Sequence, residues 1–288
     1  MVVNMAKTIP WGQALDRRLR AALKEDAAKR DITSLRLIPP CRIGLVEFIA
    51  HEKGVLCGIR IAGRCFTLMD KRAQFKALLS DGAEVEEGSV IATVEGKLRA
   101  LLASERLALN LLCHFSGIAT LTSRFVEKVR EFGTQIYDTR KTTPLWRDLE
   151  KYAVRIGGGH NHRFDLSEAY FIKDNHIEAC GGIKTALEAL FQKKKDRRSV
   201  IVETRTAREA EIASRYPVDV ILLDNMKPVD IKKIHKKVTR GVKIEISGGV
   251  TLENVKEYAR TGVPRISIGA ITHSMKYLDI SMEFKNPI

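Results

Sequence analysis

Between Gln135 and Gly269, short apolar runs alternate with longer amphipathic stretches, and this rhythm restricts the fold more than any other feature of the chain. Strands are predicted at Gln135–Thr139, Tyr170–Lys173, Val200–Thr204, Val218–Asp224, Lys243–Ser247 and Arg265–Gly269. The helices between them are predicted at Leu145–Val154, Ile183–Lys193, Ala207–Arg215, Val229–Val238 and Leu252–Arg260. A strand that reaches the next strand through a helix pairs with it in parallel, by a right-handed crossover. No G-x-G-x-x-G opens a helix after the first strand, so an incomplete (β/α) barrel fits better than a dinucleotide-binding sheet.

The first hundred residues read differently, as α+β. A helical start from Trp11 to Lys29 precedes strand-like pieces at Gly44–Ala50 and Val55–Ile59 and a helical piece at Ile61–Leu68. Glu84–Leu98 carries a Glu-Glu-Gly turn between alternating runs and suggests a β-hairpin. From Ser104 a long amphipathic helix is expected, capped by the Ser104 hydroxyl, ended by Gly133, and kinked or divided at Gly117. The tail Leu278–Phe284 alternates like a strand and is expected to return as an edge strand of the N-terminal domain. The expected division is residues 1–115 with tail 275–288, against a barrel of residues 116–274.

A chain of 288 residues, 44% hydrophobic, buries an ordinary globular core. Its five cysteines form no C-x-x-C and no paired spacing, which argues against a disulfide framework or zinc site. The N-terminus lacks the apolar core of a signal peptide, and no run reaches the ~18 apolar residues of a membrane span; a cytoplasmic enzyme is the expectation. The net charge of +14 raises nucleic acid or an anionic small molecule as partner. The basic runs Lys193–Arg198 and Lys232–Arg240 lack the interleaved aromatics of a single-strand groove, so they read as solvated faces.

Chemistry concentrates at the predicted strand ends: Thr139, Arg140 and Lys141, then Lys173, Glu203, Asp224, Ser247, Gly248 and Gly249, and Gly269 and Ala270. In a barrel these ends form one ring. With His162 and Arg163, the cations Arg140, Lys141 and Lys173 make a pocket for a small polyanion, because guanidinium forks and lysine point charges hold carboxylates and phosphates. Glycines after the last two strands, each followed by a helix N-terminus, suit a phosphate. Glu203 and Asp224 suit ribose hydroxyls or a hydrated Mg²⁺; the alternative is a structural ion pair with Lys173 or Lys141. His160 and His162 share one side of an extended segment, but Arg163 beside them opposes a divalent metal, and His162 assisting Arg163 with a carboxylate is the better reading. Lys173 as a Schiff-base lysine lacks a desolvated, carbonyl-specific pocket in the sequence.

The motifs SERLALN (104–110), SGIAT (116–120), DTRKTTP (138–144), LEKYAV (149–154), GGGHNHR (157–163), IKDNHI (172–177), LLDN (222–225), EISGGV (245–250) and ISIGAITHS (266–274) together resemble the quinolinate phosphoribosyltransferase family. The resemblance implies an N-terminal α/β sandwich and an open, seven-stranded α/β barrel. It implies a homodimer with shared active sites, alone or within a hexamer, and no nucleic-acid or membrane partner. Its activity is phosphoribosyl transfer from phosphoribosyl pyrophosphate to quinolinate with decarboxylation, aided by Mg²⁺. By the same resemblance Arg106 comes from the neighbouring subunit and joins Thr139, Arg140, His162, Arg163 and Lys173 on the two carboxylates. Lys141 touches phosphoribosyl pyrophosphate; Glu203 and Asp224 meet its ribose or Mg²⁺; Ser247, Gly248, Gly249, Ile268, Gly269 and Ala270 cradle its phosphate.

Two residues depart from the family pattern. Leu145 stands where glycine is usual, which bears on the loop beside Arg140, and Ile201 stands where an acidic residue is common, which bears on metal binding. Rival readings are a molybdate-transport-associated paralogue acting on another acceptor, a barrel aldolase using Lys173, and a basic RNA-binding protein.

Overall fold

The fold was analysed in a computed structural model that describes residues 12–238 and 241–285. Trp11, the end of the second basic run at 239–240, and tail residues 286–288 lie outside the described residues. The strands are β1 (Ile43–Ala50), β2 (Gly54–Val55), β3 (Gln74–Ala77), β4 (Glu84–Val85), β5 (Val90–Lys97), β6 (Gln135–Tyr137), β7 (Tyr170–Ile172), β8 (Val200–Thr204), β9 (Val220–Asp224), β10 (Lys243–Ser247), β11 (Arg265–Ser267) and β12 (Ile280–Phe284). The chain groups into two units. One holds residues up to 123, 148–158 and those from 275 onward; the other holds 124–147 and 159–274.

The first unit is built on an antiparallel sheet in the order β12-β1-β5-β3, with β12 as the expected edge strand. Val46, Phe48 and Ala50 alternate inward along β1, and the Phe48, Phe66 and Phe75 rings meet at 5.9–6.2 Å. Phe66 lies on the helix Ile59–Met69; Leu15 and Leu19 bury one face of the helix Gln13–Glu25. Each such large side chain withdrawn from water contributes about 2–3 kcal/mol.

Several local expectations give way here. β4 does not form a hairpin with β5; it pairs with β2, while β5 lies between β1 and β3. The strand expected over Val55–Ile59 stops at Val55, because Gly58 and Ile59 donate their backbone N–H groups to the Asp81 carboxylate and a helix begins. The long helix starts at Leu98 and runs unbroken to Val129, so Ser104 lies inside it and its hydroxyl donates back to the Ala100 carbonyl rather than capping. Gly117 does not divide the helix. A Cβ there would stand 2.3 Å from the Lys276 carbonyl oxygen, so the glycine admits a neighbouring backbone. Gly133, with φ 65°, ends the following turn as expected.

The helix Arg147–Ile156, one of the predicted crossovers, groups from Asp148 onward with the first unit. The reason is a set of partly buried polar ties: Arg18 grips Asp148 with two hydrogen bonds of 2.7 Å, His114 meets the fully buried Glu150 at 2.9 Å, and the Tyr152 hydroxyl donates to Asp81 at 2.8 Å.

The second unit is a parallel sheet of six strands in the order β6-β11-β10-β9-β8-β7, with a single parallel bridge from Tyr137 of β6 to His160. His160 thus occupies the place of a seventh strand. In parallel pairing, residues in register share a face. The register therefore lines one face with Phe171, Ile201, Glu203, Leu222, Asp224, Glu245, Ser247, Arg265 and Tyr137. Ile201, Val220 and Leu222 form an apolar cluster with Phe171 packed against it. Ile201, at a position where the resemblance makes an acidic residue common, contributes to that apolar wall.

Candidate active site

The parallel order brings the side chains expected at the strand ends to one edge of the second unit, because every strand runs the same way and ends at the same level. Thr139, Arg140 and Lys141 follow β6; Lys173 follows β7; Glu203 lies in β8; Asp224 closes β9; Ser247 closes β10 and leads into Gly248 and Gly249. Ile268 and Gly269 follow β11, and Ala270 opens the short helix Ala270–His273. Arg106 belongs to the first unit and is exposed on the helix Leu98–Val129.

His162 and Arg163 are placed by Asp138, a fully buried residue to which sequence reading gave no role. Its carboxylate accepts the His162 backbone N–H and the Asn161 side-chain amide, each at 2.7 Å, while its own N–H donates to the His160 carbonyl. This clamps the segment onto β6. Arg163 then donates to the Ala169 carbonyl at 2.8 Å and lies over the Phe171 ring. Burial, and then the charge of Arg140, push the Arg163 guanidinium down from its ordinary value. The Nε groups of Arg140 and Arg163 are buried without a hydrogen-bond partner among the described residues. Orphaned buried donors on two neighbouring cations favour an anion.

Glu245 was also missed. It points from β10 into the sheet's inner face, fully buried, where His162 Nε2 pairs with one carboxylate oxygen and Arg265 stands 3.4 Å from the other. Arg265 in turn lies 4.0 Å over the Tyr137 ring. Burial pushes the Glu245 carboxyl up, but the charges of His162 and Arg265 outweigh it, and the net direction is down. The sequence reading has His162 assisting Arg163; its Nε2 is engaged by Glu245, which leaves contact with a ligand to the rest of the ring. Only the E of EISGGV could have signalled this residue, and sequence spacing does not reveal the pairing.

Lys173 Nζ lies 3.1 Å from Glu203 and 4.6 Å over the Phe171 ring, so the ion pair weighed from the sequence forms. With 46% of its side chain exposed and a carboxylate beside it, Lys173 sits in no desolvated carbonyl pocket, which removes the support for an aldolase. Asp224 accepts from the Asn225 amide at 2.9 Å and, by register, shares the inner face with Glu203. Among the described residues no group of three or more His, Cys, Asp or Glu could hold a metal. Two carboxylates on adjacent strands fit an ion that brings its remaining oxygen ligands with a substrate.

Gly248 has φ 88°, and a Cβ there would fall 2.3 Å from the Asn225 side-chain oxygen, so glycine is required. The Asn225 N–H donates to the Ser247 carbonyl at 2.8 Å and ties the two loops together. At Gly269 a Cβ would stand 3.0 Å from Lys141 Cδ, so the bare backbone lets the lysine lie across it. The helix expected from Leu252 begins at Val255, after a turn in which Asn254 bonds Thr251 and Gly249. Its dipole therefore does not reach Gly248 and Gly249, since that effect is confined to the first turn. Leu145 is 81% exposed at φ 68°, a left-handed conformation that glycine adopts freely.

Comparison with known proteins gives one family. Its C-terminal domain, described as "Quinolinate phosphoribosyl transferase, C-terminal domain", matches residues 118–283, and its N-terminal domain matches residues 31–116. The chain is 41% identical over 261 residues to the probable nicotinate-nucleotide pyrophosphorylase [carboxylating] of Bacillus subtilis, covering 90% of this chain and 89% of that one. It is 38% identical to quinolinate phosphoribosyltransferase [decarboxylating] 1 of Nicotiana glauca, covering 92% and 81%. Among solved structures, NadC from Streptococcus pyogenes superposes with a TM-score of 0.88 at 38% identity, covering 93% of this chain and 95% of that one.

Proposed function

The chain belongs to the quinolinate phosphoribosyltransferase family, and on that premise we propose that it transfers the phosphoribosyl group of phosphoribosyl pyrophosphate to quinolinate with loss of CO₂. The products are nicotinate mononucleotide, pyrophosphate and CO₂. The observation that carries this reading is the grouping of Arg140, His162, Arg163 and Lys173 at one sheet edge, with two buried guanidinium nitrogens lacking hydrogen-bond partners among the described residues.

Arg140, Arg163 and Lys173, with Thr139 and His162, hold the two carboxylates and fix the pyridine ring. The bare backbone at Gly248, Gly249 and Gly269, flanked by Ser247, Ile268 and Ala270, takes the 5′-phosphate, with Lys141 beside it. The pyridine nitrogen forms its bond to ribose C1 as the bond to pyrophosphate breaks, through a transition state of oxocarbenium character. Glu203 and Asp224 face the developing positive charge on the sugar, and fixed charges act strongly in such a site because they need no reorganisation. The ring nitrogen is now cationic, so the bond to the 2-carboxylate breaks and leaves its electron pair on C2 as an ylide, which a proton then quenches. Mg²⁺ accompanying the substrate would be held by Glu203 and Asp224 and supplies charge neutralisation for the departing pyrophosphate.

Arg106 of a second copy completes the carboxylate pocket in a homodimer, alone or within a hexamer, working in the cytoplasm. Its exposure on a helix of the first unit supports this role. No helix among the described residues is long and apolar enough to cross a membrane.

The test is to supply purified protein with phosphoribosyl pyrophosphate, Mg²⁺ and quinolinate and to measure CO₂ and pyrophosphate. Release of both, dependent on quinolinate, is expected. Pyrophosphate release with another acceptor and none with quinolinate would assign the chain to the transport-associated paralogue.

A further inference from the structure

Phe171 touches three of the side chains assigned to the carboxylates. Its ring stacks on His162 at 6.0 Å with 17° between the planes, the Arg163 guanidinium carbon lies 5.2 Å from its centroid, and Lys173 Nζ lies 4.6 Å from it. The ring also packs against the apolar wall of Ile201, Val220 and Leu222.

Arg163 and Lys173 carry like charges and do not gather without cause; Arg163 already feels the charge of Arg140 as a destabilising influence. Among the described residues Lys173 pairs with the Glu203 carboxylate, Arg163 donates to a neutral carbonyl, and His162 Nε2 turns to Glu245. The negative face of an aromatic ring is what the two longer side chains share. Such a face attracts ammonium and guanidinium groups within about 6 Å, more strongly where water is excluded. It accepts no proton and forms no competing ion pair, so it holds the cations in place while leaving their donors for an anion.

We propose that Phe171 is a positioning residue that gathers His162, Arg163 and Lys173 into a preformed dicarboxylate clamp. It does not touch the reacting atoms. It sets the affinity for quinolinate by sparing the cost of bringing the cations together when the ligand arrives. This inference rests on the quinolinate reading above.

The test compares the wild type with Phe171→Leu, which keeps apolar bulk against Ile201 and Leu222, and Phe171→Tyr, which keeps the ring. Phe171→Leu should raise the quinolinate KM about tenfold, equivalent to about 1.4 kcal/mol. Its kcat should stay within about threefold and its KM for phosphoribosyl pyrophosphate within about twofold. Phe171→Tyr should restore the quinolinate KM to within about threefold of wild type. Should the leucine variant fail to fold, pentafluorophenylalanine at position 171, similar in shape with its ring electrostatics reversed, must raise the KM in the same way. An unchanged quinolinate KM in the leucine or fluorinated protein overturns the proposal. So does a parallel rise in both KM values with a lowered melting temperature in the leucine and tyrosine variants, which marks a packing role alone. A wild-type protein that neither binds nor converts quinolinate overturns the assigned function, and this inference with it.

Discussion

Replacing Glu245 with leucine tests whether the inner face of the parallel sheet is held together by charge. The carboxylate is fully buried, pairs with His162 and stands 3.4 Å from Arg265, whose side chain is only 13% exposed. Removing it leaves a guanidinium nearly out of water with no counter-charge. Breaking a buried pair from one side typically costs about 3–5 kcal/mol, because the remaining ion keeps its desolvation penalty. Taking out both partners costs far less, so Glu245→Leu/Arg265→Met should regain most of that loss; the cycle should show a coupling of about 2 kcal/mol or more. Urea unfolding followed by tryptophan fluorescence and circular dichroism reads the difference, fitted separately for each unit if the two probes disagree. The same pair gives a pH signature. Because the folded Glu245 carboxyl lies below its ordinary value of 4.5, its contribution is complete above that pH and fades as the pH falls below it. A Glu245→Leu protein within about 1 kcal/mol of wild type at neutral pH, or strictly additive single substitutions, would refute the argument.

Further consequences can be measured in the same preparations. Arg140→Ala and Arg163→Ala should each lower kcat/KM for quinolinate roughly a hundredfold, the loss of about 3 kcal/mol of charge-assisted bonding, with an unchanged far-ultraviolet spectrum; wild-type kinetics in both would remove them from the site. Leu145→Gly should stabilise the protein by about 0.5–1 kcal/mol, since relief of the left-handed backbone outweighs what an 81% exposed side chain contributes; a loss of more than about 1 kcal/mol by thermal melting would show that the loop needs the leucine. Nicotinate, with one carboxylate, leaves a cation of the clamp unpaired, and kcat/KM should favour quinolinate by about a thousandfold or more; comparable turnover would reject the two-carboxylate assignment.

The architecture of the second unit was legible because buried parallel strands are short continuous apolar runs separated by helices, and each such run proved to be a strand. The ring of polar residues followed from that, as the ends of parallel strands share one edge. What stayed hidden depends on partners distant in sequence. β4 is two residues long and carries no periodicity, so nothing local shows that it pairs with β2 rather than β5. Ser104 looks like a cap only until Leu98 is seen to open the helix a turn and a half earlier. Glu245 reads as an ordinary strand residue, and its meaning comes from His162 on a loop and Arg265 on the adjoining strand. Leu145 was visible as an anomaly, but only the backbone shows that it adopts the conformation glycine favours.

The central claim is that a clamp of cations holds a doubly charged pyridine while its ring nitrogen takes the sugar. The most direct test is to follow quinolinate labelled with carbon-13 in either carboxyl group, in the presence of phosphoribosyl pyrophosphate and Mg²⁺. The account predicts that label in the 2-carboxyl leaves as CO₂ in step with pyrophosphate, while label in the 3-carboxyl stays in the mononucleotide. Retention of both labels in the nucleotide, or CO₂ formed without the sugar donor, would contradict it.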